Sequence, residues 1–225
     1  NLVETDYCYQ SMENLPGGMP PIEREKPWGT AHAIWCAKDI IHEPFAALNA
    51  DDFYGSDAFV KAHDFLANEA SDEEFGLVGY QLAATLSENG TVSRGICESD
   101  NNQHLTSVTE CTKIGIEPDG TIKDQDSGKI LHANDLVSMN FWAFTPKVFQ
   151  EIEKQFIEFY PTNKDNLKSE FYIPKVVDKM IKDNTAQVKV LKTDAKWFGV
   201  TYKEDTPGVN AALTAFDKEG KYLDL

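Results

Sequence analysis

The residues best equipped for chemistry stand in the run Asn49-Ala50-Asp51-Asp52-Phe53-Tyr54-Gly55. Two adjacent carboxylates end an apolar segment, Pro44-Phe45-Ala46-Ala47-Leu48-Asn49-Ala50, which has the uninterrupted pattern of a strand covered on both faces. In open α/β sheets, ligands gather beyond the carboxyl ends of strands. Paired acids there suit Mg²⁺, which takes one or two carboxylates and completes its shell with water and phosphate oxygens. The competing reading is that Asp51 or Asp52 caps the turn into the next helix. A second candidate is Lys26-Pro27-Trp28-Gly29-Thr30-Ala31-His32-Ala33. Glycine at the mouth of a helix, followed by small residues, lets a planar or anionic group approach exposed backbone N–H groups. An ordinary tight turn would use the same residues, and His32 on such a helix is by default a packing residue. The five histidines are scattered, and no Ser-His-Asp or Cys-His arrangement competes.

Both segments depend on the elements that carry them. Val3 to Tyr9 reads as part of a strand. Residues 11–29 hold four of the ten prolines and three glycines, which predicts a long loop. Thr30 to Asp39 follows as a helix with Ala31, Ile34 and Trp35 on one face. Ser56 is placed to cap a helix that turns Phe59, His63 and Leu66 inward. Phe75 to Leu82 reads as a buried strand, and Thr91 to Thr145 as short alternating segments with turns at Asp119-Gly120 and Ser127-Gly128. Val137 to Phe144 returns as a core strand. Thr145-Pro146 then opens a helix with Val148, Phe149, Ile152 and Phe156 on its apolar side. A further helix covers about Ser169 to Lys182, Gln187 to Leu191 is a strand, and Thr206-Pro207 opens a last helix through Phe216. This order predicts an α/β fold: a Rossmann-like three-layer sandwich with a mixed central sheet and an inserted β-hairpin layer. No linker or repeat interrupts the chain, so residues 1–225 are expected to form one domain.

Composition narrows the function classes. The 225 residues are 41% apolar, enough for a core, and carry 21 Lys+Arg against 37 Asp+Glu, a formal charge of −16. That acidity argues against nucleic acid as a partner, because such binding rests on cationic neutralisation of phosphates. It also requires that any phosphate chemistry be supported locally by a metal ion or a few placed cations. Four cysteines without metal-ligand spacing suggest reduced thiols and a cytoplasmic setting. No apolar run approaches the ~20 residues that span a bilayer, so no membrane association is expected.

Taken together, a P-x-G-T-A segment, a helix and an apolar strand ending N-A-D resemble the sugar-1-phosphate nucleotidyltransferases, which include glucose-1-phosphate thymidylyl- and uridylyltransferases. The resemblance extends along nearly the whole chain. Gln10 fits the family's Gln that reads the pyrimidine edge, a task suited to an amide because it donates and accepts. Arg94-Gly95-Ile96-Cys97-Glu98 resembles the strand whose Gly admits the sugar. Val108-Thr109-Glu110-Cys111-Thr112-Lys113 resembles the strand ending in Glu-Lys, with the Lys displaced by two positions. Ser138 to Phe144, with Asn140, takes the place of an N-x-G strand, and Glu170 that of an acid near the sugar. On their residues alone, Glu98, Glu110 and Glu170 would be solvated surface carboxylates, and Glu170 also a first-turn helix acid.

The resemblance implies Mg²⁺-dependent transfer of a nucleotidyl group from an NTP, UTP or dTTP, to a sugar 1-phosphate, with release of pyrophosphate. The implied nucleotide-binding residues are Gln10, Pro27, Gly29, Thr30 and Asp51. Gly95, Glu110, Lys113, Asn140 and Glu170 would hold the sugar phosphate. Asp51 is the implied catalytic metal ligand, with Asp52 or Asp205 as further ones. Two departures stand out. The family's opening Gly-rich phosphate loop, with the first strand, has no counterpart in residues 1–225, so the chain by itself is expected to be inactive. Gly199, in Trp197-Phe198-Gly199-Val200, stands where a second metal Asp is expected. These departures support an alternative, a catalytically silent module that binds nucleotide sugars.

Overall fold

The structure, a computed structural model, describes residues 4–199 and 202–220. Eight strands form one sheet: β1 (Phe45–Ala47), β2 (Glu74–Gln81), β3 (Val92–Ser99), β4 (Leu105–Ile116), β5 (Ile122–Asp124), β6 (Ile130–Leu131), β7 (Leu136–Phe144) and β8 (Gln187–Lys192). The order is β6-β5-β4-β3-β7-β2-β8, with β1 paired to β7. Among the described residues five α-helices accompany them: α1 (Thr30–Trp35), α2 (Ser56–Asn68), α3 (Lys147–Asn163), α4 (Ile173–Lys182) and α5 (Thr206–Lys218). The sheet is mixed, as expected. Antiparallel ladders join β1 to β7, β3 to β4 and β7, β4 to β5, and β5 to β6. By contrast, β8 runs parallel to β2, because the amides of Gln187 and Thr193 bond to the carbonyls of Glu73 and Gly79. The antiparallel run β3 to β6 is the predicted hairpin layer, and its turn glycines Gly120 and Gly128 have φ of +85° and +76°.

The chain forms two compact units. Unit 1 comprises residues 1–47, 64–76 and 142–189. Its core is aromatic: Trp28 meets Phe156 edge-on at 5.3 Å and lies 5.5 Å from Tyr160, while Phe171 lies 5.5 Å from Phe156. Such edge-to-face contacts match the ring quadrupoles. Pro146 rather than Thr145 takes the N-cap position of α3, without a capping bond, because the Thr145 hydroxyl donates to Asp72 instead; the helix buries Val148, Phe149, Ile152 and Phe156, the predicted face. Unit 2 comprises residues 48–63, 77–141 and 190–225. Tyr54, Tyr80, Leu77, Phe141 and Ile114 are fully buried there.

Several local expectations are corrected. Residues 4–10 form no strand, and Tyr7 and Tyr9 are 79% and 84% exposed; no described strand pairs with them. Val3 lies outside the described residues. The segment at 44–50 yields only the three-residue β1, half-exposed and paired through β7 alone, so it is not a strand covered on both faces. Regular α-helix after Gly29 ends at Trp35, beyond which turns from Cys36 to Ile41 take over. In α2 the buried residues are Ala58, Ala62 and Phe65, whereas Phe59 is 49% exposed and His63 is exposed. Two alanines allow closer approach than Phe59 and His63 would, which turns the helix by one residue, about 100°. The helix expected from Ser169 starts at Ile173, with Pro174 in its first turn, so Glu170 precedes it.

Candidate functional site

In unit 1, the loop at 11–29 returns to place Gln10 beside the start of α1. The Gln10 amide Nε2 donates to the Gly29 carbonyl at 3.0 Å and to His32 Nδ1 at 3.2 Å. His32 is fully buried and its Nε2 lies 3.0 Å from the Asn14 carbonyl. Burial lowers the His32 pKa, so the ring is neutral at pH 7. Gly29 has φ +97° and ψ −178°, a conformation essentially reserved for glycine. It lies against the backbone of Phe171, which accepts from Ala31 N–H and donates to the Trp28 carbonyl. Thr30 Oγ1 accepts from the Ile173 amide at 3.1 Å and so ties α1 to the start of α4. Pro27 is exposed. Glu170 is ion-paired with Lys26 at 3.3 Å and accepts from the Tyr172 hydroxyl. That hydroxyl, then Lys26, holds the Glu170 carboxyl below the usual range.

Sequence reasoning missed Arg24 here. Its guanidinium lies 3.4 Å over the Trp28 ring and donates to the carbonyls of Lys26 and Ser169. Only 8% of it is exposed, and Nη1 has no partner. A charged residue in a polar loop reads as solvated, and no local pattern reveals that an aromatic 4 positions later will cover it.

In unit 2, the acidic pair divides. Asp51 is exposed and carries no hydrogen bond among the described residues. Asp52 is half-buried: its Oδ2 accepts from Asn49 Nδ2 at 2.9 Å and lies 3.2 Å from the Tyr54 hydroxyl. That hydroxyl accepts from the Asn49 amide and lies 2.9 Å from the Met139 carbonyl. Burial raises the Tyr54 pKa strongly and keeps its proton in place. Asn140 donates from Nδ2 to Asn49 Oδ1 at 2.7 Å. Its φ of +59° interrupts the extended backbone of β7, a position asparagine tolerates better than most residues. Asn49, Asp52, Tyr54 and Asn140 thus form one network.

Beyond it, Gly95 on β3 faces Glu110 on β4 and Ser138 on β7. A Cβ at Gly95 would lie 2.8 Å from Val108 Cγ1 and 3.5 Å from Glu110 Oε2, so the Val108 side chain packs into the space that a larger residue would need. Surrounding protein raises the Glu110 carboxyl, partly opposed by Arg94. Arg94 is buried, donates to Thr85 and the Ser93 carbonyl, and is lowered to about 10 by burial against the pull of Asp52 and Glu110. It remains a cation at pH 7.

The other expected residues lie apart from this network. Lys113 is exposed and ion-paired with Asp126 at 2.8 Å. Asp205 accepts from Ser87, Asn89 and the Tyr202 amide, which caps the short helix Lys203–Asp205. At Gly199, a Cβ would lie 2.2 Å from Trp197 Cη2 and 3.0 Å from Asp52 Oδ1. The position expected to carry the second acid therefore does adjoin Asp52, but the Trp197 indole fills the space its side chain would need. Among the described residues, no three His, Cys, Asp or Glu gather as a metal-binding group. All four cysteines are free, and no described helix is long and apolar enough to cross a membrane.

A family model described as "Nucleotidyl transferase" matches residues 8–206. No curated protein matches the sequence significantly. Among solved structures, the inositol-1-phosphate CTP transferase from T. maritima superposes with a TM-score of 0.53 at 14% identity, over 86% of this chain and 64% of that one. A candidate glucose-1-phosphate thymidylyltransferase from Bacillus anthracis, solved with a sucrose, gives 0.51 at 12%, over 87% and 65%. The chain thus spans just under two thirds of the length of either structure, and at these identities the likeness speaks to the fold.

Proposed function

This chain belongs to the nucleotidyl transferase family, and from that premise we propose that it binds UTP or dTTP and transfers the nucleotidyl group to a sugar 1-phosphate, acting as one nucleotidyltransferase-like domain. An oxygen of the sugar phosphate attacks the α-phosphorus. The bond from that phosphorus to the β-phosphate oxygen breaks, and pyrophosphate leaves. Such transfer requires positioning and charge neutralisation rather than a protein nucleophile. The observation that carries the reading is the bond from Gln10 to Gly29, 19 residues away, which unites the two segments expected to hold the base.

In this reading Gln10, Pro27, Gly29 and Thr30 hold the nucleotide, while Gly95, Glu110, Asn140 and Glu170 hold the sugar. Asp51 and Asp52 fit a Mg²⁺ ion: both are hard oxygen donors, and Asp51 is unencumbered and open to solvent. Bound there, Mg²⁺ would supply neutralisation of phosphate charge. Asn49 and Tyr54 orient Asp52, and Asn140 in turn orients Asn49. Lys113 and Asp205, engaged with Asp126 and with a helix cap, are left out of the site.

Calorimetric titration with UTP, dTTP and their diphosphate sugars tests the reading, and binding of none of them refutes it. The silent-module alternative is favoured by Trp197 lying over Gly199, which leaves no carboxylate at position 199, where a second metal Asp is expected. Pyrophosphate release from NTP and sugar 1-phosphate excludes that alternative; binding without release in the presence of Mg²⁺ supports it.

A further inference from the structure

The donors around Gln10 and His32 leave only one consistent proton arrangement. The Asn14 and Gly29 carbonyls can only accept, and the Cys36 thiol, 3.6 Å from His32 Nε2, is a weak sulfur partner that can accept from that nitrogen as well as donate to it. His32 Nε2, 3.0 Å from the Asn14 oxygen, therefore carries the ring proton and Nδ1 is a bare lone pair. Gln10 must turn its NH₂ toward both Gly29 O and His32 Nδ1. The reversed amide would set its oxygen against the Gly29 oxygen, and the other histidine tautomer would set Nε2 against the Asn14 oxygen. Both N–H groups of Gln10 are thereby consumed, and Oε1 has no partner among the described residues. The donating half of the amide, expected to help read a base, is spent on the protein.

We infer that His32 is a positioning residue that fixes Gln10 as a pure hydrogen-bond acceptor, so that the base Gln10 reads must present an N–H to it. The inference rests on the proposed nucleotide site and adds to it the polarity of base recognition. A uracil or thymine imide N–H meets the requirement; the same ring methylated at N3 offers only acceptors and does not.

Titration of this chain with UTP and with N3-methyl-UTP tests the requirement without a mutation. The methylated nucleotide should bind at least about tenfold more weakly, the loss of a hydrogen bond plus a buried acceptor left unpaired. Equal binding overturns the inference alone, whereas binding of neither overturns the nucleotide reading beneath it. His32→Phe preserves an aromatic ring near Trp35 and Phe156 but frees one Gln10 N–H. In folded variant protein the preference for UTP should narrow several-fold, and an unchanged preference removes His32 from the role. Nitrogen-15 NMR of the wild-type histidine decides the matter independently of variant folding: a protonated Nε2 and bare Nδ1 are expected, and a protonated Nδ1 refutes the arrangement.

Discussion

Replacing Gly29 by alanine probes the segment on which the nucleotide reading depends, and its cost can be worked from the backbone. At φ +97° and ψ −178° an L-residue is strained by about 1–3 kcal/mol. The new Cβ would also lie 2.8 Å from both the amide nitrogen and the carbonyl oxygen of Phe171, and 3.1 Å from its carbonyl carbon. These are backbone atoms that cannot rotate aside. They are pinned on either side by the bonds from Phe171 N–H to the Trp28 carbonyl, at 2.6 Å, and from Ala31 N–H to the Phe171 carbonyl, at 3.0 Å. Relieving the overlap must stretch one of them, adding about 1–3 kcal/mol for a backbone group left without its partner. A total loss of about 2–6 kcal/mol follows. Urea unfolding of wild type and Gly29→Ala, followed by far-UV circular dichroism with m-values compared, reads it directly. A loss below about 1 kcal/mol at unchanged m would refute the close approach of Gly29 to Phe171.

Further outcomes concern unit 2 and the helix faces. Tyr54→Phe strands the Asn49 amide and the Met139 carbonyl, so unfolding should become easier by about 1–3 kcal/mol; an unaltered urea midpoint would contradict the network. Asp51→Asn, at an exposed position, should leave stability within about 0.5 kcal/mol while removing the Mg²⁺ dependence of nucleotide binding, and persistent dependence would take Asp51 out of the metal set. Asp205, whose folded pKa is lowered first by Asn89, gives stability that is present above the unfolded value of 3.8 and lost as pH falls through the folded one. The gap in urea midpoint between wild type and Asp205→Asn should therefore be wider at pH 6 than at pH 3, and equal gaps would argue against the cap. Phe65→Ala should cost about 3–5 kcal/mol and Phe59→Ala distinctly less; the reverse order would restore the inward face first expected for α2.

Much of the architecture was legible because long periodic runs carry their own register. Phe75 to Leu82 and Val137 to Phe144 read as buried strands, and β2 and β7 lie within one residue of those bounds; the four residues expected on the apolar side of α3 are all buried, joined by Gln155 and Tyr160. Where large apolar side chains competed with small ones, as at Phe59 against Ala58 and Ala62, hydrophobicity alone favoured the wrong face, since it does not register how closely a helix can approach a sheet. The candidate site was legible where glycine geometry or a strand end gave it away, at Gly29, Gly95 and Asp51-Asp52. Arg24, Tyr54 and the role of His32 were not, because part of what holds them lies far off in sequence: Ser169 for Arg24, and Met139 for Tyr54. Such bonds exist only once the chain has folded, and nothing in the local spacing encodes them.

The indole of Trp197 over Gly199 also shapes which substitutions are open to this chain. A carboxylate at position 199 would fall beside Asp52, yet Gly199→Asp alone drives the new Cβ into a buried ring, and shrinking Trp197 alone removes the surface on which Arg94 rests at 4.8 Å. The carboxylate fits only once Trp197 is reduced, and that reduction takes the surface from Arg94 with or without it, so the effect of each position depends on the other. A second acid is thus two correlated changes away rather than one. A library varying residue 199 on its own would return glycine, however strong the selection for activity.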